Sequence, residues 1–242
     1  MKIITLLTTI LLVAGTAFAQ LPKKYATADL GLSAGQGFTG ALSYNKYYGI
    51  GQSGRFKIGW GLRLNTYFGG QTDHRTAPAS LTSGKSSFAA LVSDDIVSQI
   101  DTLRLSSVQV NSLNLNVHLQ YAVLKKLEVG FNIDALGFSF GGQRKGTFVA
   151  RQSDATGRSN NGNTDFTAKP TGLNLLLVSD SDVGSLNSEI YARYWITNKL
   201  ALRGGLSFQF WEYTANRKLA FDNDRFRSKV LLPLIAISYR LK

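Results

Sequence analysis

The sequence predicts an all-β chain, an eight-stranded antiparallel up-and-down transmembrane β-barrel with long extracellular loops. Three observations predict it. Apolar residues recur with period two over most of the chain, the connections between these segments are by turns brief and long, and the N-terminus is laid out for export although nothing later could form a helical span.

The export signal comes first in the chain. Lys2 precedes an apolar run from Ile3 to Val13, and Ala17-Phe18-Ala19 stands before Gln20 in the position of a cleavage site. Residues 1–19 are therefore expected to be a signal peptide and 20–242 one outer-membrane barrel domain. The chain has no cysteine, which excludes disulfide stapling and the acylated cysteine of a lipoprotein. The 24 Gly and only 4 Pro suit many short strands joined by tight turns. The formal charge is +12. It is expected to be scattered over lumen and loops; contact with anionic lipid headgroups is the alternative. Nucleic acid is excluded as a partner, because the chain is exported and has no basic helix or aromatic-basic motif.

Eight segments alternate. Weaker ones run from Ala26 to Ala34 and from Phe38 to Ile50. In the third, Phe56, Ile58, Trp60, Leu62 and Leu64 oppose Lys57, Gly59, Gly61, Arg63 and Asn65. The fourth is the clearest: Leu113, Leu115, Val117, Leu119 and Tyr121 oppose Ser112, Asn114, Asn116, His118 and Gln120. After a Lys125-Lys126 turn, Leu127, Val129, Phe131 and Ile133 oppose Glu128, Gly130, Asn132 and Asp134. Leu186 to Ile196 is the sixth. Leu200, Leu202, Leu206, Phe208 and Phe210 oppose Arg203, Gly205, Ser207 and Gln209 in the seventh, and Leu231 to Leu241 is the eighth. The apolar phase slips by one residue near Ala135-Leu136 and again between Val110 and Leu113, as a β-bulge would make it.

Connection lengths count the strands independently. Gln71 to Ser106, Gly142 to Val183 and Arg217 to Phe226 are long, whereas the links near Gly51 to Gly54, Leu124 to Lys126 and Thr197 to Lys199 are short. A bacterial barrel with both termini in the periplasm alternates short periplasmic turns with longer outer loops. Parity then requires one upward strand ahead of Phe38, and Ala26 to Ala34 followed by Gly35-Gln36-Gly37 supplies it.

Alternation does not say which face is inside, so a soluble lipocalin-like carrier of apolar ligands competes with a membrane barrel. Three features favour the membrane. The polar face carries charges of both signs, Asp29, Lys57, Arg63, His118, Glu128, Asp134, Glu189, Arg193, Arg203 and Arg240, which can pair across a narrow lumen as one polar network. Aromatic residues gather at two levels: Tyr44, Tyr48, Tyr121, Tyr194 and Tyr239 below, and Tyr67, Phe68, Phe138, Phe140, Phe208, Phe210, Trp211 and Tyr213 above. The long polar loops all lie on one side. Lys46 falls on the apolar phase near a strand end, where it can snorkel.

With these features the chain resembles the small bacterial outer-membrane β-barrel family, eight-stranded members of the porin-like superfamily. The resemblance covers Ala26 to Lys242 and rests on signal peptide, dyad repeat, aromatic girdles and loop asymmetry rather than a short motif. It implies a Gram-negative outer-membrane location, a filled polar lumen, mobile outer loops, a monomer in contact with outer-membrane lipid, and passage through the barrel-assembly machinery. Many such barrels end in an aromatic residue, whereas this chain ends Tyr239-Arg240-Leu241-Lys242.

Chemistry is thinly supplied. His74 lies in a long loop and His118 on the polar face. Resemblance to barrel enzymes that trim lipid A would make His118 a base, but no Ser-His pairing is visible, and a hydrogen-bonded lumen histidine beside Asn116 and Gln120 is the better reading. Asp94-Asp95, Asp180 with Asp182, and Asp222 with Asp224 lack the spacing of a calcium loop. No metal, cofactor or catalytic residue is expected. Arg144, Lys145, Arg151, Arg158, Arg217, Lys218, Arg225 and Arg227 near the outer rim are candidate contacts for lipopolysaccharide phosphates. In the longest loop, Arg158 to Thr164 reads as flexible and Gly172 to Val178 as a strand extension, while Ser87 to Ile100 is expected to form a short helix or extra hairpin. The expected function is a structural or surface-interaction role. A lipid A-modifying enzyme and a soluble carrier are the alternatives.

Overall fold

The computed structural model describes residues 22–84, 94–149, 165–177 and 181–241. The expected signal peptide, Arg151 and the Arg158 to Thr164 stretch lie outside them. The described chain is an all-β antiparallel sheet of thirteen strands: β1 (Lys24–Ala34), β2 (Gly37–Ile50), β3 (Phe56–Gly69), β4 (Thr72–Thr76), β5 (Thr102–Leu105), β6 (Val108–Ala122), β7 (Leu127–Phe140), β8 (Arg144–Val149), β9 (Asp165–Pro170), β10 (Leu173–Leu175), β11 (Leu186–Trp195), β12 (Leu200–Ala215) and β13 (Arg225–Arg240). A count of eight therefore understates the sheet. The five additional strands have three to six residues each; four lie in what the sequence suggested were open loops, and β10 lies within Gly172 to Val178, which reads as a strand extension.

Two closed circuits share the β12–β13 hairpin. The first is made of the long strands, paired in the order β1-β2-β3-β6-β7-β11-β12-β13 and back to β1. Closure removes every free edge, so each ladder has a partner. Stepping sideways from Leu231 through Phe208, Ser188, Ile133, Val117, Trp60, Lys46 and Ala26 leads back to β13 at Leu241, whose amide donates to the Ala26 carbonyl. That ten-residue stagger between Leu231 and Leu241 means strongly tilted strands, of the roughly 35–45° usual in barrels.

The second circuit runs β12-β9-β8-β5-β4-β13 beyond the long-connection end of the first. Sixteen residues in each of β12 and β13 make this possible, because the outer parts of both strands project past the first circuit and take new partners. Leu103, Leu105, Phe148, Phe166, Tyr213 and Phe226 fill its interior. Burial of a large apolar side chain contributes on the order of 2 kcal/mol, enough in sum to hold strands this short.

The expected bulge near Ala135-Leu136 is present. Leu115 pairs Leu136 and Asn116 pairs Asp134, leaving Ala135 as the extra residue. It marks the level where β7 changes partner, from β11 up to Ile133 to β10 from Leu136 onward. The second expected slip is absent: Val108, Val110 and Ser112 all point inward in one unbroken register with β3. What changes there is the interior, from polar to apolar, and the sequence pattern imitated a bulge. In the described part of Ser87 to Ile100 there is a single 3-10 turn, Val97–Gln99, rather than a helix or hairpin.

The facing of the long strands agrees with the alternation. Phe131 and Leu206 are exposed and Leu113 is half-buried on the same outward face, whereas Ser112, Asn114, Asn116 and His118 are buried. Inward glycines make room for large interior side chains. A Cβ at Gly130 would strike the Tyr191 ring, and one at Gly205 would strike the β11 backbone at Ile190 and Tyr191.

Candidate functional site

Two interiors and one outer surface carry the polar chemistry. In the first circuit the inward face brings together nine of the ten residues expected in the lumen, all buried. Lys57 pairs with Glu128 at 3.2 Å, and Arg63 bridges Asp134 at 3.1 Å and Glu189 at 2.8 Å. Arg193 reaches Asp29 at 3.1 Å, and Arg203 lies between Asp29 at 3.5 Å and Glu189 at 3.3 Å. Four basic groups thus meet four carboxylates. Balance of this kind is what makes burial tolerable, since a single uncompensated ion in such a place costs several kcal/mol.

The remaining carboxylate valences are met by neutral donors. Glu128 accepts from Trp195 Nε1 at 2.8 Å and from Tyr25, and Asn132 Nδ2 donates to Glu189 at 2.8 Å. His118 sits inside this network with Nε2 2.9 Å from Asn116 Oδ1 and Nδ1 3.4 Å from Tyr47 Oη. Gln120 serves Tyr25 and Arg193 instead of the histidine. Both imidazole nitrogens therefore face interior groups, away from the outward apolar face that a lipid substrate would approach.

Arg240 is the residue set apart. It is half-buried at the short-turn end, its guanidinium stacked 3.9 Å over Trp195 and 4.8 Å over Tyr25. Tyr25, Tyr47, Trp195 and Ala201 form an apolar cluster that closes the lumen there. Parity with Asp29 placed Tyr25 inward from the sequence, but an aromatic plug was not foreseen. At the other end the lumen meets the apolar core of the second circuit. Between them is a cavity of about 20 Å³ lined by Asn65, Ser112, Asn187, Gln209 and Trp211, room for about one water.

Three of the eight upper aromatic residues belong to that core. Phe68, Phe138, Phe140 and Phe208 are exposed, but Tyr67 stacks on Trp211 at 3.6 Å inside, and Tyr213 is fully buried. Phe210 keeps the outward phase yet is covered, with the Arg227 guanidinium 4.6 Å above its ring. Aromatic content alone could not separate girdle from core; the inward parity of Tyr67, Trp211 and Tyr213 could have.

The junction of the circuits depends on residues that the sequence reading passed over. Asn174 of β10 donates to Asn114 Oδ1 at 2.7 Å and accepts from Ser139 Oγ and the Ser185 amide, which ties β6, β7, β10 and the start of β11 together. Glu212 is likewise buried. It accepts from Arg225 Nε at 2.6 Å and Arg227 Nη2 at 2.9 Å, and both arginines also donate to the Asp182 carbonyl.

The cations expected to meet lipopolysaccharide are dispersed. Arg225 and Arg227 converge on Glu212, Lys218 pairs Asp222 at 2.6 Å, Arg217 lies 4.4 Å over the Phe166 ring, and Arg144 donates to Gln109. Lys145 lines an open depression of about 190 Å³ with Gln71, Arg104, Ser106 and Thr147. The acidic groups of the outer segments are engaged as well: Asp95 with Arg75 at 2.8 Å, Asp73 with Arg104 at 2.7 Å, and Asp182 with the Leu177 amide. Asp180 lies outside the described residues.

His74 is not in a loop but on β4, inside the second circuit and fully buried, edge-on to Tyr213 at 5.3 Å. Burial pulls its pKa from 6.5 down to about 4, against a smaller opposing effect of its hydrogen bond to Thr72. The neutral form is the one that folds. Between pH 6.5 and about 4 the unfolded chain binds a proton that the folded circuit refuses, so stability is full above 6.5 and falls as pH drops through that window. The loss is on the order of 3 kcal/mol. Protection factors of β4 and β5 amides, with the intrinsic pH dependence of exchange divided out, are expected to fall from pH 7 to 4.5, and His74→Phe is expected to flatten that dependence; an unchanged slope in the variant would show that other groups set it.

No protein-family model and no curated protein matches the chain. Several solved structures do. Neisserial surface protein A, from Neisseria, shares 10% identity over 91% of this chain and 98% of its own, with a TM-score of 0.39. A major outer membrane protein of Thermus thermophilus shares 14% identity over 91% and 100%, TM-score 0.39. Ail, the attachment invasion locus protein of Yersinia pestis, solved with the heparin analogue sucrose octasulfate, shares 9% over 90% and 97%, TM-score 0.29.

Proposed function

We propose that the chain is an integral outer-membrane protein of a Gram-negative bacterium: an eight-stranded barrel with a filled lumen that holds a folded six-stranded module at the cell surface, in a structural or surface-interaction role. The observation that carries this reading is the outward face of the first circuit. Leu30, Leu42, Leu62, Leu115, Val117, Phe131, Ile190, Leu206, Ile235 and Ile237 are all exposed while the charged residues are buried. In water such a surface would be prohibitively apolar, whereas in a bilayer it is the expected band about 25 Å tall. Exposed Tyr121, Tyr194 and Tyr239 at one edge and Phe68, Phe138 and Phe140 at the other suit the two interfaces. Lys46 supports the same depth, its ammonium lying 5.6 Å over Tyr48, toward the short-turn end.

A soluble carrier needs an apolar cavity, and the interior here is ionic in the middle and packed at both ends. Export by the N-terminal segment, passage through the assembly machinery, a monomeric state and contact of Arg144, Lys145, Arg217, Lys218, Arg225 and Arg227 with lipopolysaccharide belong to this proposal. The dispersal of those six cations supports a diffuse contact rather than one phosphate pocket. Recovery in outer-membrane fractions with heat-modifiable migration on detergent gels is the expected result, together with no porin-sized conductance in planar bilayers. Recovery in the soluble periplasm, or large single-channel currents, would overturn the reading.

A further inference from the structure

The excess positive charge is collected at one end of the molecule. Of 27 Lys and Arg and 15 Asp and Glu, Lys2 belongs to the expected signal and four of each sign cancel in the lumen. Counted along the sequence, the outer connections with the outer ends of β12 and β13 hold 13 basic and 11 acidic residues. The short-turn end holds the other nine cations and no Asp or Glu. Lys23 and Lys24 lie at the start of β1, Arg55 in the β2–β3 turn, Lys125 and Lys126 in the β6–β7 turn and Lys199 in the β11–β12 turn, all exposed. They occur at every short connection around the circumference, so the rim is a ring of like charge and not a patch.

Like charges gathered on one rim repel one another, a cost that an anionic phase at the same level relieves. Their depth says which phase. Lys24 and Lys46 bring their ammonium groups to 5.9 and 5.6 Å from the Tyr48 ring, and exposed Phe56, Tyr121 and Tyr239 sit at the same edge of the apolar band. Aromatic rings at this level mark the interface, which puts the cations at headgroup height.

We propose that the short-turn rim binds the anionic phospholipid headgroups of the inner leaflet, holding a selected lipid shell around the barrel and fixing its depth. This rests on the membrane-barrel reading above. Lysine and arginine close to an anionic surface are attracted with a strength that salt screens within about a Debye length.

The test uses the full mature protein folded into phosphatidylcholine bilayers containing chain spin-labelled phosphatidylglycerol or phosphatidylcholine. Electron spin resonance of the motionally restricted lipid is expected to show a preference of about threefold or more for phosphatidylglycerol, weakened by salt. In a variant carrying Arg55→Gln, Lys125→Gln, Lys126→Gln and Lys199→Gln the preference is expected to fall to near parity, while Lys169→Gln at the opposite end leaves it unchanged. Parity in the parent protein overturns the proposal and leaves an acidic periplasmic protein as the partner of the rim. A preference that survives rim neutralisation overturns it too. Absence of any restricted lipid and of heat-modifiable migration would instead sink the barrel reading itself.

Discussion

Replacing Leu115 with Arg is expected to destabilise the folded protein by about 2–4 kcal/mol in bilayers, the cost of a cation near the middle of a lipid-facing wall. Leu115 is 41% exposed and its ladder partners on both sides, Leu62 and Leu136, are exposed leucines, so no neighbouring group could accept the guanidinium. The cost should depend on depth. Phe56 lies on the same outward face at the short-turn edge, and Phe56→Arg is expected to cost no more than about 1 kcal/mol, because the longer side chain can reach headgroups. Urea titrations of protein folded into vesicles measure both. Equal effects at the two positions would mean that depth is irrelevant and that the outward face does not meet lipid.

The second large effect is expected inside. Arg63→Met should lose about 3–5 kcal/mol, because it strips the cation from two buried carboxylates at once. Glu189 retains Arg203 at 3.3 Å and Asn132, but Asp134 is left with only the neutral donors Asn114 Nδ2 at 2.8 Å and the Asn187 amide at 3.0 Å. Adding Asp134→Asn to Arg63→Met should recover a good part of the loss, since the double change removes the stranded charge along with its partner, and a double-mutant cycle reads the coupling directly. A loss below about 1 kcal/mol for Arg63→Met would contradict a buried, paired lumen.

These two residues also show why the candidate lumen was legible. On β3 and β6 the apolar and polar sets alternate without exception from Phe56 to Asn65 and from Ser112 to Tyr121, so parity assigns each side chain a face. Balanced signs on the inner face then follow from the energetics of burial. Which acid meets which base was not readable, because Arg63 reaches Asp134 across two ladders and Arg193 reaches Asp29 across the lumen.

The outer half of the molecule resisted the same treatment. β4, β5, β8 and β9 are short, and their apolar residues are too few to show a period: Leu103 and Leu105 alone on β5, Phe148 and Val149 on β8, Phe166 and Ala168 on β9. Their pairings are also remote in sequence, Thr76 with Phe226 and Ala168 with Ala215 among them. Short polar segments with distant partners look like loops, and His74 was hidden with them.

By itself the sequence determined the facing of the long strands and the alternation of short and long connections, because side chains on a strand change sides at every residue and a slip would turn the whole apolar set inward. Only the tertiary structure decided that the ends of β12 and β13 recruit four short strands into a second, apolar-cored circuit. That outcome depends on closure between segments far apart in the chain, for which no local period exists, and on the burial gained once all six strands meet.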